Sequence, residues 1–362
     1  MRTSQKRDAR DDGRPSYPPG ACGRATQPFD GRPLAPATEI SQSSVHREDL
    51  TISSEVSSRL FSSYLTNIHP IWPLLYLPMY QQDSHGLQPT SFSQPVLYAI
   101  YAIAACTESS RPTLQPDARV PSPALLFESA LLSMQRHGGD SELSSSQFHP
   151  LNMLRPSIDS CQALVILALQ QHGIGEASNA AILCSIAAGM AIDLRLNEEL
   201  PTGSEHTTIQ IASRLWWNLF VLDKMLEIER GRPFRLRSED ATTQWPSTLE
   251  SDEFQLIKVP EKGSGRLTTI KTYAMSGFEK TIELVAIMES VAREICSVTS
   301  RRRLNEDFGA AEKVRLELWR QLDSYRSSLE KSGLSLWTSE DLHAAVPPVA
   351  IINTSVGPHC AI

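Results

Sequence analysis

Turnover chemistry needs a nucleophile, an acid or base, or a metal held at fixed spacing, and this sequence offers none of the recognised arrangements. It has no G-x-S-x-G elbow, no H-E-x-x-H pair and no G-x-x-x-x-G-K phosphate loop. Six cysteines, Cys22, Cys106, Cys161, Cys184, Cys296 and Cys360, stand 84, 55, 23, 112 and 64 residues apart. A local zinc site needs pairs about two to four residues apart, and a disulfide framework belongs to short secreted chains. The cysteines therefore read as reduced thiols packed as small hydrophobes. No catalytic residue, metal ligand or cofactor is expected in this chain.

The other chemistry-bearing residues read as helix punctuation. His69 precedes Pro70 at the end of an apolar-periodic run, and His137 and His172 also sit at run ends, where each suits a C-terminal cap better than a base. Gly173-Ile174-Gly175 follows a helical pattern rather than a strand, so it is a helix stop and not a phosphate cradle. Arg301-Arg302-Arg303 is the densest basic cluster, but Glu306 and Asp307 follow it without interleaved aromatics. It reads as the solvated end of a helix, complementing the macrodipole.

The elements that position these residues are helical. Val56, Leu60, Phe61, Tyr64, Leu65 and Ile68 recur three and four apart until His69-Pro70 stops them. From Pro70 to Pro78 prolines alternate with large apolar groups, predicting an extended segment plugged into a core. Helices follow over Val96–Cys106 and Ala124–Arg136, separated by a proline-bearing loop. Beyond a Ser-rich loop over 140–157, Ile158–Gln171 and a helix from Ser178 to Leu196, with Ile182, Ile186, Met190 and Leu194 four apart, predict an αα-hairpin. Thr208–Arg230 carries the stripe Ile211, Ala212, Leu215, Leu219, Leu222 and Leu226. At about 100° per residue Asp223 and Trp216 flank that stripe and Trp217 lies opposite, so the helix packs on two faces. A polar loop is expected over Thr248–Gly265, then amphipathic helices through Phe278–Ile295 and Ala311–Leu329. The fold class expected is all-α.

Composition narrows the class further. The 362 residues are 41% hydrophobic and 21% charged, enough for a sizeable core. The strictly apolar run Ala163–Leu169 spans 7 residues where a bilayer crossing needs roughly 20. No apolar stretch follows the charges at Met1–Asp8, so neither a membrane span nor a secretory signal is expected, and an intracellular protein is. Residues 1–50 contain six prolines and a mixture of charges without periodicity, which predicts a disordered leader. The 34 basic and 41 acidic side chains give −7 overall. The leader contributes a small positive excess, so the body is acidic and poorly suited to hold nucleic acid over its whole surface.

One region has more than helical grammar. Arg214-Leu215-Trp216-Trp217 leads through Asp223-Lys224 to Gly231-Arg232-Pro233 and the acidic pair Glu239-Asp240. Upstream lie His69-Pro70 with Pro73-Leu74-Leu75, and Cys161-Gln162-Ala163-Leu164 leading to Met190-Ala191 and Asp193-Leu194. In this order the segments resemble the middle homology region of fungal transcription factors of the binuclear zinc cluster class, over about residues 55–250. Two steps depart from the pattern: Gln210, Ala212 and Ser213 replace an acidic residue and arginines before Arg214, and Arg195-Leu196-Asn197 replaces a Gly-Leu-His step.

The resemblance implies a regulatory domain at 51–250 with a helical continuation over 251–362, whose end reads as truncated. It implies transcription regulation in the nucleus. DNA and zinc would be bound through a cysteine-cluster module that the spacing here does not supply. The partners implied are DNA through that module, a second copy or a related factor, and a small-molecule effector. A DNA-binding-deficient partner of a complete factor is the rival reading, and a helical enzyme with a site assembled from remote residues is the other. Arg214, Trp216, Trp217, Asp223, Gly231, Arg232, Pro233, Asp240, His69 and Pro70 are the motif residues expected to carry structure or regulation. Asp223, on the flank of an apolar stripe, needs a partner, with Arg232 and Arg214 the nearest candidates by sequence and Glu227 expected to be solvated.

Overall fold

The computed structural model describes residues 50–81, 88–109, 120–137, 155–260 and 267–332. The expected leader, the loop cores near 110–119 and 138–154, and the end of the expected helical continuation from 333 lie outside the described residues.

Helices α1 (Ser54–Asn67), α3 (Gln94–Ser109), α4 (Pro123–His137), α5 (Ile158–Gly173) and α6 (Ala177–Asp193) build the first part of the core, with the short α2 at Pro78–Gln81. α5 is buried continuously from Ser160 to Gln171, the pattern of a helix that other helices surround. Ser157 caps it by accepting the Ser160 N–H at 3.1 Å. Gly175, at φ +88°, lets the chain reverse after α5, so the αα-hairpin forms as expected. α3 packs on α1, α4 and α5 through the buried run Ala99–Ala105. Between α1 and α2, Leu74, Leu75 and Leu77 are buried, which places the extended proline segment in the core as its composition predicts.

α6 differs in its ends and its buried face. It starts at Ala177 after Glu176, so Ser178 is not its cap. Met190 of the expected stripe is buried, but Ile182 is 58% exposed, and Ala180, Leu183, Cys184, Ala187 and Ala191 are buried in its place. Four-residue spacing alone could not choose between neighbouring faces. The small side chains win because they let α6 approach α5 and α7 closely.

α7 (His206–Arg230) is buried from Ala212 to Lys224 on every side, and Trp216 and Trp217 are both in the core, so the helix does pack on two faces. Gly231 at φ +61° ends it, with the Arg232 N–H returning to the Glu227 carbonyl at 2.9 Å. The chain then runs through 3₁₀ turns at Ser238–Asp240 and Ser251–Phe254. The polar loop expected over Thr248–Gly265 contains a strand. β1 (Leu256–Pro260) pairs antiparallel with β2 (Leu267–Lys271), Leu256 facing Lys271 and Pro260 facing Leu267. A hairpin this small gives little periodic signal. All other regular secondary structure among the described residues is helical.

α8 (Ala274–Val291), α9 (Val298–Glu306) and α10 (Phe308–Lys331) complete the described chain. The stripe expected to run to Ile295 stops at Val291, where a single π turn spans Ala292–Cys296 and leaves Ile295 40% exposed. The arginine cluster consequently falls inside α9 rather than at the end of a longer helix. Leu284 of α8 packs with Tyr325 and Leu329 of α10 in a small satellite core.

Candidate functional site

The motif residues converge on α7, which carries ionised side chains into the core and holds the chain that follows it with them. Arg214 is fully buried and grips Asp252 with both guanidinium nitrogens, Nη1 to Oδ2 at 2.5 Å and Nη2 to Oδ1 at 3.1 Å. Nη1 also donates to the Leu75 carbonyl at 3.0 Å, and the guanidinium lies 4.9 Å from the centre of the Tyr76 ring. The Tyr76 hydroxyl donates to Glu250 at 3.0 Å, and His206, at the start of α7, pairs with the same carboxylate at 2.7 Å. One arginine thus ties α7 to the proline segment and to the 3₁₀ turn at 251–254.

His69 belongs to this cluster. Its backbone N–H donates to the Tyr64 carbonyl at 3.0 Å, but its ring does not cap α1 as expected. The ring is fully buried with Nε2 3.8 Å from Asp252 Oδ2, a distance for an electrostatic contact rather than a hydrogen bond. Pro70 is buried beside it, which turns the chain inward at this point. Burial keeps the His69 imidazole below its ordinary pKa, with Asp252 pulling the other way. Burial alone would raise the Asp252 carboxyl, but His69 and the Arg214 guanidinium outweigh it and hold the group at about 2.

A second cluster lies about two turns further along α7. Asp223 Oδ2 accepts the backbone N–H groups of Arg235 at 3.0 Å and Leu236 at 3.1 Å, and Oδ1 accepts Arg235 Nη1 at 3.1 Å. The same Arg235 Nη1 stands 2.8 Å from Glu227 Oε1. Lys224, fully buried, donates to the Leu236 carbonyl and lies 4.0 Å from the Phe220 ring centre and 4.8 Å from that of Phe234. Burial pulls the Lys224 ammonium below its ordinary pKa, opposed by Asp223 and Glu289. From α8, Glu289 accepts the Ser238 N–H at 3.1 Å.

Asp223 is buried and partnered, as its position on the stripe required, but by Arg235 and Lys224. Neither sequence candidate is its partner. Arg214 is committed to Asp252, and Arg232 is exposed because the αL turn at Gly231 directs the chain away before it returns at Arg235. Glu227, expected in solvent, is 1% exposed. Pro233 and Asp240 lie at the surface, and the Asp240 carbonyl accepts from Asn197 at 2.9 Å. His172, expected as a cap, pairs with Glu229 at 2.9 Å and ties the end of α5 to α7.

The tryptophans divide the remaining work. Trp216 fills the core, while Trp217 donates to the Gln244 carbonyl at 3.0 Å and meets Phe220 and Trp245 edge to face. Gln210, where an acidic residue was expected, is still an acceptor, taking the Ser247 N–H at 3.0 Å. Glu253, next to Asp252, caps α8 by accepting the N–H groups of Met275 at 2.7 Å and Ser276 at 3.1 Å. Asp252, Glu253, Arg235 and Glu289 were not singled out from sequence, and Lys224 was quoted only within the motif, without a role. Asp252 and Glu253 stand in an acidic loop without a period, and only folding brings them to α7 and α8.

Chemically these groups can hold segments together, and their charges are spent on one another. Among the described residues no group of three or more His, Cys, Asp or Glu side chains could hold a metal ion, and no helix is long and apolar enough to cross a membrane.

Comparison with known proteins agrees with the motifs on this helix. An uncharacterized transcriptional regulatory protein of Schizosaccharomyces pombe is 23% identical over 277 residues, covering 76% of this chain and 38% of the relative's length. This chain therefore spans well under half of that relative. No solved structure gives a significant match. The fungal specific transcription factor domain matches residues 61–327, from α1 through the Arg214–Asp252 and Asp223–Arg235 clusters to α10. The chain belongs to the fungal specific transcription factor domain family.

Proposed function

We propose that this chain is the regulatory region of a fungal transcription factor and acts in the nucleus by controlling transcription rather than by catalysis. The observation that carries the reading is the family match over residues 61–327, which contains the motif residues of α7 and the segments they anchor. The S. pombe relative, named as a transcriptional regulatory protein, supports the same role. Arg214, Asp223, Lys224 and Asp252 are 0–2% exposed and engaged with one another or with backbone, which favours a scaffold over an active site. DNA contact is assigned to a zinc-cluster module of the kind the family carries, supplied outside the residues described here. Pairing with a second copy or a related factor, and a small-molecule effector, are the remaining partners of this reading.

Fusion of the whole chain to an unrelated DNA-binding domain tests it. The fusion should change transcription of a reporter bearing that domain's site, up or down, relative to the DNA-binding domain alone. An inert fusion that is folded and nuclear would overturn the proposal. So would saturable, sequence-selective DNA binding by the unfused chain at physiological salt, or turnover traced to its helical core.

A further inference from the structure

Among the described helices longer than one turn, α9 alone has no buried residue. Nine residues are too few to hold a helix in water by backbone bonding, and most helices in proteins owe their stability to an apolar face packed on a neighbour. At about 100° per residue, Val298, Arg301, Arg302 and Asn305 share one sector, and all are exposed. Leu304 and Ser300, half-buried, point the other way. The outer sector is therefore a valine, 68% exposed, bordered by two guanidinium groups. Ile295 at 40% and Phe308 at 85% exposure stand just before and just after the helix.

The charges on this sector are uncommitted. Arg293 and Arg303 pair with Glu294, and along α10 Arg315, Arg320 and Arg326 pair with Glu312, Glu317 and Glu330. Arg301 and Arg302 have no carboxylate partner among the described residues. They stand free on a chain whose net charge is −7, with the exposed Glu306 one turn beyond Arg302. The π turn at Ala292–Cys296 leads directly into this helix, and single π turns concentrate at functional sites.

We propose that the outer face of α9, with Ile295 and Phe308 at its ends, is a docking surface for an acidic peptide segment of a partner protein that also carries large apolar side chains. Carboxylates of the partner meet Arg301 and Arg302, and its apolar groups cover Val298, Ile295 and Phe308. Duplex DNA fits less well: two free arginines neutralise few phosphates, the acidic body repels the rest, and the exposed Phe308 ring would gain nothing from a phosphate backbone. A second copy fits less well too. Two-fold pairing through this face would gather four guanidinium groups in one small area, where the two Glu306 carboxylates answer only part of the charge. The proposal does not depend on the transcriptional reading.

Fluorescence anisotropy with the full chain and a fluorescein-labelled peptide that alternates aspartate with leucine and phenylalanine tests it. Binding should be saturable and weaken with salt. It should fall about tenfold in the double variant Arg301→Ala/Arg302→Ala and also fall in Phe308→Ala. These residues are exposed, so the urea midpoint should stay at that of the parent. The charge-reversed variant Arg301→Glu/Arg302→Glu should lose the acidic peptide and gain a lysine-for-aspartate version of it, an exchange that unfolding cannot mimic. Equal binding of an asparagine-for-aspartate peptide, or unchanged affinity in the double variant, would overturn the proposal. Tighter capture of random-sequence duplex DNA, or self-association abolished by Phe308→Ala, would replace it with a nucleic-acid or dimer surface.

Discussion

Arg214 and Asp252 meet as a bidentate pair across 38 residues of chain, with both side chains withdrawn from water. The pair fixes where the chain returns after α7. Asp252 sits on the guanidinium, and its neighbour Glu253 is thereby placed on the first turn of α8.

Removing either partner leaves a buried, uncompensated charge. Arg214→Ala and Asp252→Ala should each cost about 3–5 kcal/mol, read as a fall in the urea midpoint, and the double variant should cost less than the sum of the two. The pair also sets an acid limit. The Asp252 carboxyl is held at about 2 against an ordinary 3.8, so its contribution is complete above the ordinary value and disappears as pH falls through the folded one. Stability of the parent should decline between about pH 4 and pH 2 more steeply than that of Asp252→Asn, followed by circular dichroism.

Asp223 should be more sensitive than Arg235. Asp223→Ala strands two backbone N–H groups as well as the guanidinium, and the carboxylate is fully buried. Arg235→Ala removes a side chain that is 32% exposed. About 3–5 kcal/mol is expected for the first and a smaller loss for the second. Glu227→Ala should also be destabilising, since the buried Glu227 carboxylate shares Arg235 with Asp223.

Arg195 and Gly231 test backbone handedness in opposite directions. Arg195 adopts φ +54° at the step where the resemblance leads one to expect glycine, so Arg195→Gly should stabilise by about 1 kcal/mol. Gly231 adopts φ +61°, and a methyl group there would meet nothing within 4 Å. Gly231→Ala should therefore lose about 1 kcal/mol for torsional reasons alone, both changes being measured by thermal or urea unfolding.

Thiol reactivity should follow burial. Cys161 and Cys184 are fully buried, and desolvation pushes the Cys161 thiol up to about 12 and raises Cys184 as well. Cys296 is exposed. Peptide mapping after brief alkylation of the native chain should find Cys296 modified and Cys161 and Cys184 untouched until denaturant is added. Equal labelling of all three would contradict the packing of the α5–α6 hairpin.

The sequence by itself determined the helical class, the αα-hairpin with its glycine stop, the end of α7 at Gly231, the family resemblance, and that a carboxylate at Asp223 must be partnered. Those follow from local rules: periodicity, left-handed turns and the cost of burying an unpaired charge. Only the tertiary structure decided which charge answers which. Arg235 rather than Arg232 reaches Asp223, because the chain first leaves α7 at Gly231 and then returns. Arg214 instead takes Asp252, which no local pattern marks. The π turn that strands α9 outside the core was equally illegible, since one extra residue in a helical turn shifts a face without altering the types of residue on it. Composition and spacing say which side chains cannot remain alone, and the path of the backbone says what they meet.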